Sequence, residues 1–166
     1  VTPAGRRHYL QALVPHLLRQ RHVIGEHHWW LNTKDVDDIR YVEQVTAKHP
    51  DFFKICRKDF RDDLMLGENI WRYFRDYCEP ETMYTRFDDD IVYIAPDAVE
   101  RLVHFRLKHR HPLLALGNSV NNSVCTHFHH RAGVVPLRWG EVRAECMDRN
   151  GWWRGEFARK LHELFL

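Results

Sequence analysis

Three consecutive carboxylates stand between two apolar runs near the middle of the sequence. Asp88, Asp89 and Asp90 follow Tyr84–Phe87 and precede Ile91–Ile94. Adjacent carboxylates repel one another by about 1 kcal/mol per close pair even in a water-like dielectric, so the triplet favours a bound cation. In an extended backbone Asp88 and Asp90 point to the same side. Their hard oxygens suit Mg²⁺ or Mn²⁺, so these two metals are the predicted cofactors.

Composition narrows the class of protein. The 166 residues predict a single domain, 1–166, with the 44% hydrophobic and 29% charged content of a soluble globular protein. A formal charge of +2 does not indicate a nucleic-acid-binding protein. No apolar run approaches the roughly 18 residues of a membrane span, so no transmembrane segment is predicted.

Cysteine usage favours a reducing compartment. Cys56, Cys78, Cys125 and Cys146 are widely spaced and form no C-x-x-C pair, which predicts free thiols and favours a cytoplasmic protein. Val1–Gly5 resembles the end of a strand and the turn after it. This start is what a fragment or a trimmed chain would show, with the first strand of the fold largely missing.

Apolar spacing predicts alternating strands and helices in the first half. Helical spacing occurs in residues 10–18, where Pro15 is expected to kink or break the helix, in residues 36–45 after the candidate N-caps Thr33 and Asp35, and in residues 70–78. Strands are predicted at residues 27–32, 52–56 and 84–94. The last of these would carry the triplet.

The second half is predicted in less detail. A helix follows Pro96, a short strand covers Leu113–Leu116, and a short helix covers Cys125–Arg131. Residues 136–153 show no period and are expected to be irregular. A terminal helix covers residues 157–165.

This alternation predicts an α/β sandwich with a largely parallel sheet. Ligands of such sheets bind beyond the carboxyl ends of the strands. The triplet, Thr2–Arg7 and Asn32–Thr33 each follow or end a predicted strand, so we expect the three segments to converge on one crevice.

The same segments resemble a known family. Val1-Thr2-Pro3-Ala4-Gly5-Arg6-Arg7, Trp30-Leu31-Asn32-Thr33 and Tyr84-x-Arg86-Phe87-Asp88-Asp89-Asp90-Ile91 together are similar to glycosyltransferases of the GT-A fold with an aspartate-x-aspartate motif. The resemblance implies one Rossmann-like α/β/α sandwich. Residues 1–90 would form its nucleotide-sugar-binding half, and residues 91–166 would form the acceptor side and the C-terminal helix.

The resemblance also implies an activity and its residues. A nucleoside-diphosphate sugar would be the donor, a saccharide or glycoconjugate hydroxyl the acceptor, and Mn²⁺ or Mg²⁺ would hold the diphosphate. Asp88 and Asp90 would serve the metal and the donor, with His162 as a further metal ligand. Asp89 would support them or touch the sugar. Glu156 is the first choice for the catalytic base, before Glu141 and Asp148. The remaining predicted donor contacts are Thr2, Arg6, Arg7, Asn32, Thr33 and Arg86.

Other interpretations remain open from the sequence. A sugar-phosphate nucleotidyltransferase also uses paired aspartates and a metal, but it usually begins with a glycine-rich loop, and the opening turn contains only Gly5. A catalytically degenerate domain would bind sugar nucleotide without turnover. Thr33 could simply cap a helix, and Arg6 and Arg7 could face solvent. The oligomeric state is not predicted.

Overall fold

The computed structural model describes residues 1–56, 72–75, 77 and 79–165. These residues form two compact units, Val1–Ala115 and Leu116–Leu166, and each is described by itself. The prediction of one domain with halves at 1–90 and 91–166 stays a prediction. In the described part of the chain, every helix is too short or too polar to cross a membrane.

The first unit is an α/β structure. In chain order its regular elements in the described residues are β1 (Thr2–Ala4), α1 (Arg7–Arg19), β2 (His27–Leu31), α2 (Val36–Lys48), β3 (Phe53–Cys56) and α3 (Ala98–Lys108). The strands form a parallel sheet in the order β1-β2-β3, with Thr2 opposite Trp29 and His27 opposite Phe53. The predicted α/β class with a parallel sheet is thus confirmed at this level. At the position where the first strand was expected to be largely missing, β1 has three residues.

Helix α1 continues through Pro15, so the helix does not break there, and the expected kink stays a prediction. Proline removes one helical hydrogen bond and costs about 3 kcal/mol in a helix interior. The apolar face on both sides of Pro15 offsets this cost, because Leu10, Leu13 and Leu17 are fully buried in one core. Full burial of each such side chain contributes about 1.5–3 kcal/mol.

Strand β2 is buried on both faces of the sheet. Trp29 packs on the face covered by α1 and α2 and stacks on Phe53, with 5.0 Å between ring centroids. Trp30 points to the opposite face, where it meets Tyr73 edge-on at 5.7 Å. This alternation follows from the two-residue period of a strand. Cover on both faces is typical of parallel sheets.

Helix α2 begins where its sequence provides a cap. The Asp35 carboxylate accepts hydrogen bonds from the amides of Asp37 and Asp38 at 2.8 and 3.0 Å. This contact confirms Asp35 as the N-cap, whereas the Thr33 hydroxyl accepts from the Asp35 amide at 3.1 Å. The cap fixes the helix start five residues after the last residue of β2, at the carboxyl end of the sheet.

Two predicted strands are absent from the described residues. Residues 84–94 do not form a continuous strand, because Asp89 and Asp90 lie in a turn. Leu113 and Leu114 are 91% and 74% exposed and pair with no strand. Part of the helix predicted at 70–78 lies outside the described residues, although 72–75 are helical.

The second unit is built around a small core of its own. In chain order it contains α4 (Ser123–Arg131), β4 (Arg138–Trp139), β5 (Val142–Arg143), α5 (Asn150–Trp153) and α6 (Gly155–Phe165). Strands β4 and β5 form an antiparallel hairpin, and Gly140 adopts a positive φ of 64° in its turn. Residues 136–153 are therefore only partly irregular. The core residues are Val135, Val142, Ala144, Phe157 and Leu161.

Three of the four cysteines lie in the described residues. Cys56, Cys125 and Cys146 are free thiols, as predicted. Cys78 lies outside the described residues.

Candidate functional site

Residues 85–87 lie beside β1, on the side away from β2, although they form no regular strand. The nitrogen of Val1 donates to the Thr85 carbonyl at 2.7 Å, and the Phe87 amide donates to the Val1 carbonyl at 2.9 Å. This is the hydrogen-bond pattern of a parallel pair between Val1 and Arg86. The spatial order is therefore β3, β2, β1 and then the 85–87 segment.

This order creates a topological switch point beside β1. The chain progresses from β1 through β2 to β3 on one side and returns with residues 85–87 on the other. In open α/β sheets, the crevice at such a point, beyond the carboxyl ends of the strands, is the usual ligand site. The residues that leave these two ends are Gly5 and Arg6 after β1, and the acidic turn, Asp88–Asp90, after Phe87.

Contacts on both sides hold the acidic turn in place. Phe87 is buried in the first core and bonded to Val1. Beyond the turn, the Ile94 amide donates to His16 Nδ1 at 3.2 Å, and the Gln20 side chain donates to the Ala95 carbonyl at 3.1 Å. Helix α1 therefore fixes the segment that leaves the turn, as β1 fixes the segment that enters it.

The three carboxylates of the acidic turn differ in burial. Asp89 is only 8% exposed, whereas the side chains of Asp88 and Asp90 are 57% and 49% exposed. The extended backbone expected through the triplet is wrong, because residues 89 and 90 form a turn. Asp88 and Asp90 are consequently the two carboxylates that present oxygens to solvent at the strand end.

Arg6 pairs with two members of the turn. Its Nε lies 3.1 Å from both oxygens of Asp89, and its Nη2 lies 2.5 Å from Asp89 Oδ1 and 3.1 Å from Asp90 Oδ2. The hydrogen bond to Asp89 raises the pKa of the Arg6 guanidinium above its ordinary value, against the opposing effect of partial burial. The guanidinium also lies 5.3 Å from the centre of the Tyr9 ring, a further favourable contact.

Arg86 pairs with the remaining carboxylate. Its Nη2 and Nε lie 2.6 and 3.1 Å from Asp88 Oδ1. Each carboxylate of the acidic turn therefore has an arginine partner. These guanidiniums carry the fork-shaped donors that also suit phosphate oxygens.

The end of β2 completes the site. The Asn32 amide donates to the Ala4 carbonyl at 2.9 Å, which continues the β1–β2 ladder by one bond. Asn32 Oδ1 is buried and has no hydrogen-bond partner within the described residues. A Cβ added at Gly5 would come within 3.2 Å of the Asn32 carbonyl and 3.6 Å of Asp89 Oδ2. Glycine at this position keeps open the space between the two strand ends.

These segments enclose an open cleft of about 540 Å³. This volume lies within the roughly 300–1,000 Å³ typical of small-molecule sites. The charged side chains that line the cleft are three cations and three carboxylates: Arg6, Lys34, Arg86, Asp88, Asp89 and Asp90. Such a mixed lining suits a ligand that brings both phosphate oxygens and a cation.

The donor set of the cleft fits a divalent cation that arrives with a diphosphate. Mg²⁺ is commonly held by one or two carboxylates together with substrate phosphates rather than by an all-protein cage. Asp88 and Asp90 supply two exposed carboxylates, and Asn32 Oδ1 is a buried oxygen without a partner. Within the residues that the structure describes, no three acidic, imidazole or thiol groups are arranged as a complete metal site.

Comparison of the chain with protein-family models, curated proteins and solved structures found no match.

Most predicted site residues of the first unit line the cleft, and two of them do not. Arg6, Asn32, Thr33, Arg86 and the acidic turn all line it, as the convergence of strand ends predicted. Thr2 is fully buried within β1 and does not line the cleft. Arg7 also lies outside the lining; its Nη1 is 3.8 Å from Asp37 Oδ2.

Glu156 and His162 belong to α6 in the second unit. The Glu156 side chain is 74% exposed, and its Oε1 lies 3.3 Å from Lys160 Nζ, one helical turn away. His162 is half-buried in the same helix. Their assignments as base and metal ligand stay predictions, because the two units are described separately.

Two residues of the site were not predicted from the sequence. Lys34 lines the cleft directly after Asn32–Thr33, so its adjacency to a predicted strand end was an available signal. Asp38 lies behind the cleft, where its carboxylate accepts from the Arg7 amide at 2.9 Å and from the Thr33 hydroxyl at 3.3 Å. No local pattern marked this residue, because both partners come from other elements.

Proposed function

We propose that the chain is a metal-dependent glycosyltransferase that takes a sugar from a nucleoside-diphosphate donor. The observation that carries the proposal is the meeting of two adjacent strand ends at the switch point. One end provides Gly5 and Arg6, and the other provides Asp88–Asp90. The open space at Gly5 and the mixture of cationic side chains and carboxylates suit a diphosphate together with a divalent cation.

Different residues of the chain bind different parts of the donor. Asp88 and Asp90 hold the Mn²⁺ or Mg²⁺ ion, which when bound stabilises negative charge on the departing diphosphate. Arg6 and Arg86 donate to phosphate oxygens. Asn32 and Thr33, at the end of β2, contact the nucleoside. Asp89 supports the site through Arg6, because it is buried and already holds that guanidinium.

The transfer itself requires an acceptor hydroxyl opposite the diphosphate. The bond between the anomeric carbon and the diphosphate oxygen breaks, and a new bond forms between that carbon and the acceptor oxygen. If configuration inverts, a carboxylate base takes the hydroxyl proton. Glu156 is the proposed base. The proposed acceptor class is a saccharide or glycoconjugate.

The direct test follows diphosphate release from a panel of uridine and guanosine diphosphate sugars with Mn²⁺ and saccharide acceptors. We expect Asp90→Ala to lower release by about 100-fold or more, since loss of outer-shell partners alone typically costs 10- to 100-fold. Asp51→Ala is the matched control, because Asp51 is exposed and pairs with Arg21 elsewhere in the first unit. Equal release from the wild type and Asp90→Ala would contradict the metal role.

A second candidate is a domain that binds sugar nucleotide without turnover. The pairing of both Asp89 and Asp90 with Arg6 favours it, because the turn already has an internal counter-charge. Such a domain would bind the nucleoside diphosphate but release none from any sugar nucleotide. Calorimetry with uridine and guanosine diphosphates, run beside the release assay, separates the two functions.

A further inference from the structure

Arg6 occupies the space in which the acidic turn would meet a cation. Its Nη2 donates to Asp89 Oδ1 at 2.5 Å and lies 3.1 Å from Asp90 Oδ2, so one nitrogen joins two neighbouring carboxylates. Any divalent ion bound by Asp90 would have this guanidinium as a close neighbour. Like charges at such a distance repel, and partial burial strengthens the effect.

Asp89 anchors the guanidinium without using all its donors. The Arg6 contacts to both carboxylates are made through Nε and Nη2, in the described part of the chain. An arginine side chain carries five N–H donors, two of them on Nη1. The Arg6 side chain is 47% exposed and lines the cleft, so its Nη1 group can reach a phosphate oxygen while Nε stays on Asp89.

We infer that Arg6 makes the binding of divalent cation and diphosphate depend on each other. Without a diphosphate, the guanidinium neutralises Asp90 and weakens binding of the cation alone. When a diphosphate binds, its oxygens accept hydrogen bonds from the guanidinium, which then leaves Asp90. The Asp90 carboxylate is free to bind the cation. This inference rests on the proposed function, and it adds to that function a binding order set by one positioning residue, with Asp89 as its anchor.

The alternative is that the Arg6–Asp89 pair only stabilises the turn. A structural pair of this kind would change the unfolding free energy without changing the dependence of cation binding on diphosphate. The two roles therefore separate in a measurement of Mn²⁺ affinity with and without nucleotide. Coupling between two ligands is reciprocal, so either titration reports the same factor.

The experiment measures free Mn²⁺ by electron paramagnetic resonance during titration of the purified chain, alone and with uridine or guanosine diphosphate at saturation. For the wild type we expect diphosphate to tighten Mn²⁺ binding by a factor within the roughly 5- to 150-fold range usual for coupled sites. In Arg6→Gln we expect tighter binding of Mn²⁺ alone, by at least about fivefold. The enhancement by diphosphate should fall correspondingly.

Two further variants are controls for indirect effects on Mn²⁺ binding. Arg101→Gln removes an equal charge from an exposed ion pair in α3, and it should leave both Mn²⁺ affinities unchanged. Arg6→Lys keeps the charge but loses the planar fork, so it cannot hold Asp89 at two points and reach Asp90 as well. We expect its coupling factor to lie between those of the wild type and Arg6→Gln. Circular dichroism confirms that each variant is folded.

The outcomes distinguish the inference from the proposed function. If the wild type binds Mn²⁺ with diphosphate, and Arg6→Gln shows the same affinity for Mn²⁺ alone, the inference is wrong while the proposed function stands. If the wild type shows no cooperative binding of Mn²⁺ with either nucleoside diphosphate, while both bind independently, the inference is again wrong. Absence of any Mn²⁺ or nucleotide binding overturns the proposed function and the inference together.

Discussion

The backbone amide of Arg7 donates to the Asp38 carboxylate at 2.9 Å, which joins the first turn of α1 to the first turn of α2. Both helices begin at the carboxyl end of the parallel sheet, because each follows a strand directly. The same carboxylate accepts from the Thr33 hydroxyl at 3.3 Å. The Asp38 carboxylate thus joins the two loops that form one wall of the cleft.

Removal of this contact should lower stability and disturb the cleft. We expect Asp38→Ala to lower the unfolding free energy by about 0.5–1.5 kcal/mol, because the Arg7 amide loses its acceptor in a solvent-exposed hydrogen bond. Affinity for nucleoside diphosphate should also fall, since Thr33 lines the cleft. Asp38→Asn keeps an acceptor oxygen and should recover most of both losses. Urea unfolding and calorimetry measure the two quantities, and equal losses in both variants would contradict this account.

The close approach of backbone at Gly5 gives a steric prediction. A Cβ at this residue would lie 3.2 Å from the Asn32 carbonyl oxygen, which is closer than the backbone easily allows, and 3.5 Å from Thr33 Cβ, which is an ordinary van der Waals distance. We expect Gly5→Ala to weaken nucleoside-diphosphate binding about tenfold, since overpacking typically costs 1–3 kcal/mol and 1.4 kcal/mol is tenfold.

Gly25→Ala is the matched control for this substitution. A Cβ at Gly25 would meet nothing within 4 Å. Its affinity, measured by calorimetry, should equal that of the wild type. Tight nucleotide binding by Gly5→Ala would show that the space beside Gly5 is not part of the donor site.

Phe87 supports the segment that enters the acidic turn. It is buried in the first core beside His27, with ring centroids 6.2 Å apart, and its amide bonds to Val1. We expect Phe87→Ala to lower the unfolding free energy by about 3–5 kcal/mol, the usual cost of removing a buried phenyl ring. The exposed Phe105 in α3 is the control, and Phe105→Ala should change stability by less than about 0.5 kcal/mol. Urea unfolding, followed by tryptophan fluorescence, measures the unfolding free energy of both variants. Similar losses of unfolding free energy in the two variants would argue against a buried role for Phe87.

The buried His27 predicts a dependence of stability on pH. Complete desolvation holds the pKa of this imidazole well below its usual value near 6.5, and its ring lies among Trp29, Phe52 and Phe53. Below about pH 6.5 this histidine therefore binds a proton in the unfolded chain but not in the folded chain. The contribution to stability is fully present above that pH and is lost as pH falls, by up to about 1.4 kcal/mol per pH unit.

Replacement of the imidazole tests this origin. In His27→Leu we expect a flatter fall of the unfolding free energy between pH 6.5 and 5, because an apolar side chain leaves no orphaned Nε2 and no titrating group. His104→Leu, at an exposed position of α3, should keep the wild-type slope. Urea unfolding at several pH values supplies the slopes. An unchanged slope in His27→Leu would assign the pH dependence to other groups.

The elements with long buried stripes were predictable from the sequence. The spacing of Leu10, Leu13 and Leu17 predicted α1, and the aromatic run at residues 27–32 predicted β2, because burial of these residues dominates local preference. Alternation of strands and helices likewise predicted the parallel sheet. The continuation of α1 through Pro15 was not predictable locally, since the compensating contacts come from the rest of the core.

The failures share a physical cause. Residues 84–94 have the composition of a strand, but the turn at Asp89 and Asp90 is held by Arg6, which is 83 residues from Asp89 in the chain. A local window cannot include such a partner. The choice of Asp89 as the buried carboxylate depends on the same contact. Strands β4 and β5 contain two residues each, which is too short for any period to appear.

The placement of residues 85–87 beside β1 has a consequence for the order of folding. Pairs of distant residues form late, because closing a long loop costs entropy before the contact is made. The β1–β2 pair joins residues 27 apart, whereas Phe87 reaches Val1 over 86 positions. The cleft thus has no precursor in any local piece of the chain. Ligand binding during refolding should appear only with the last step of assembly of the first unit, so it provides a direct signal for completion of that step.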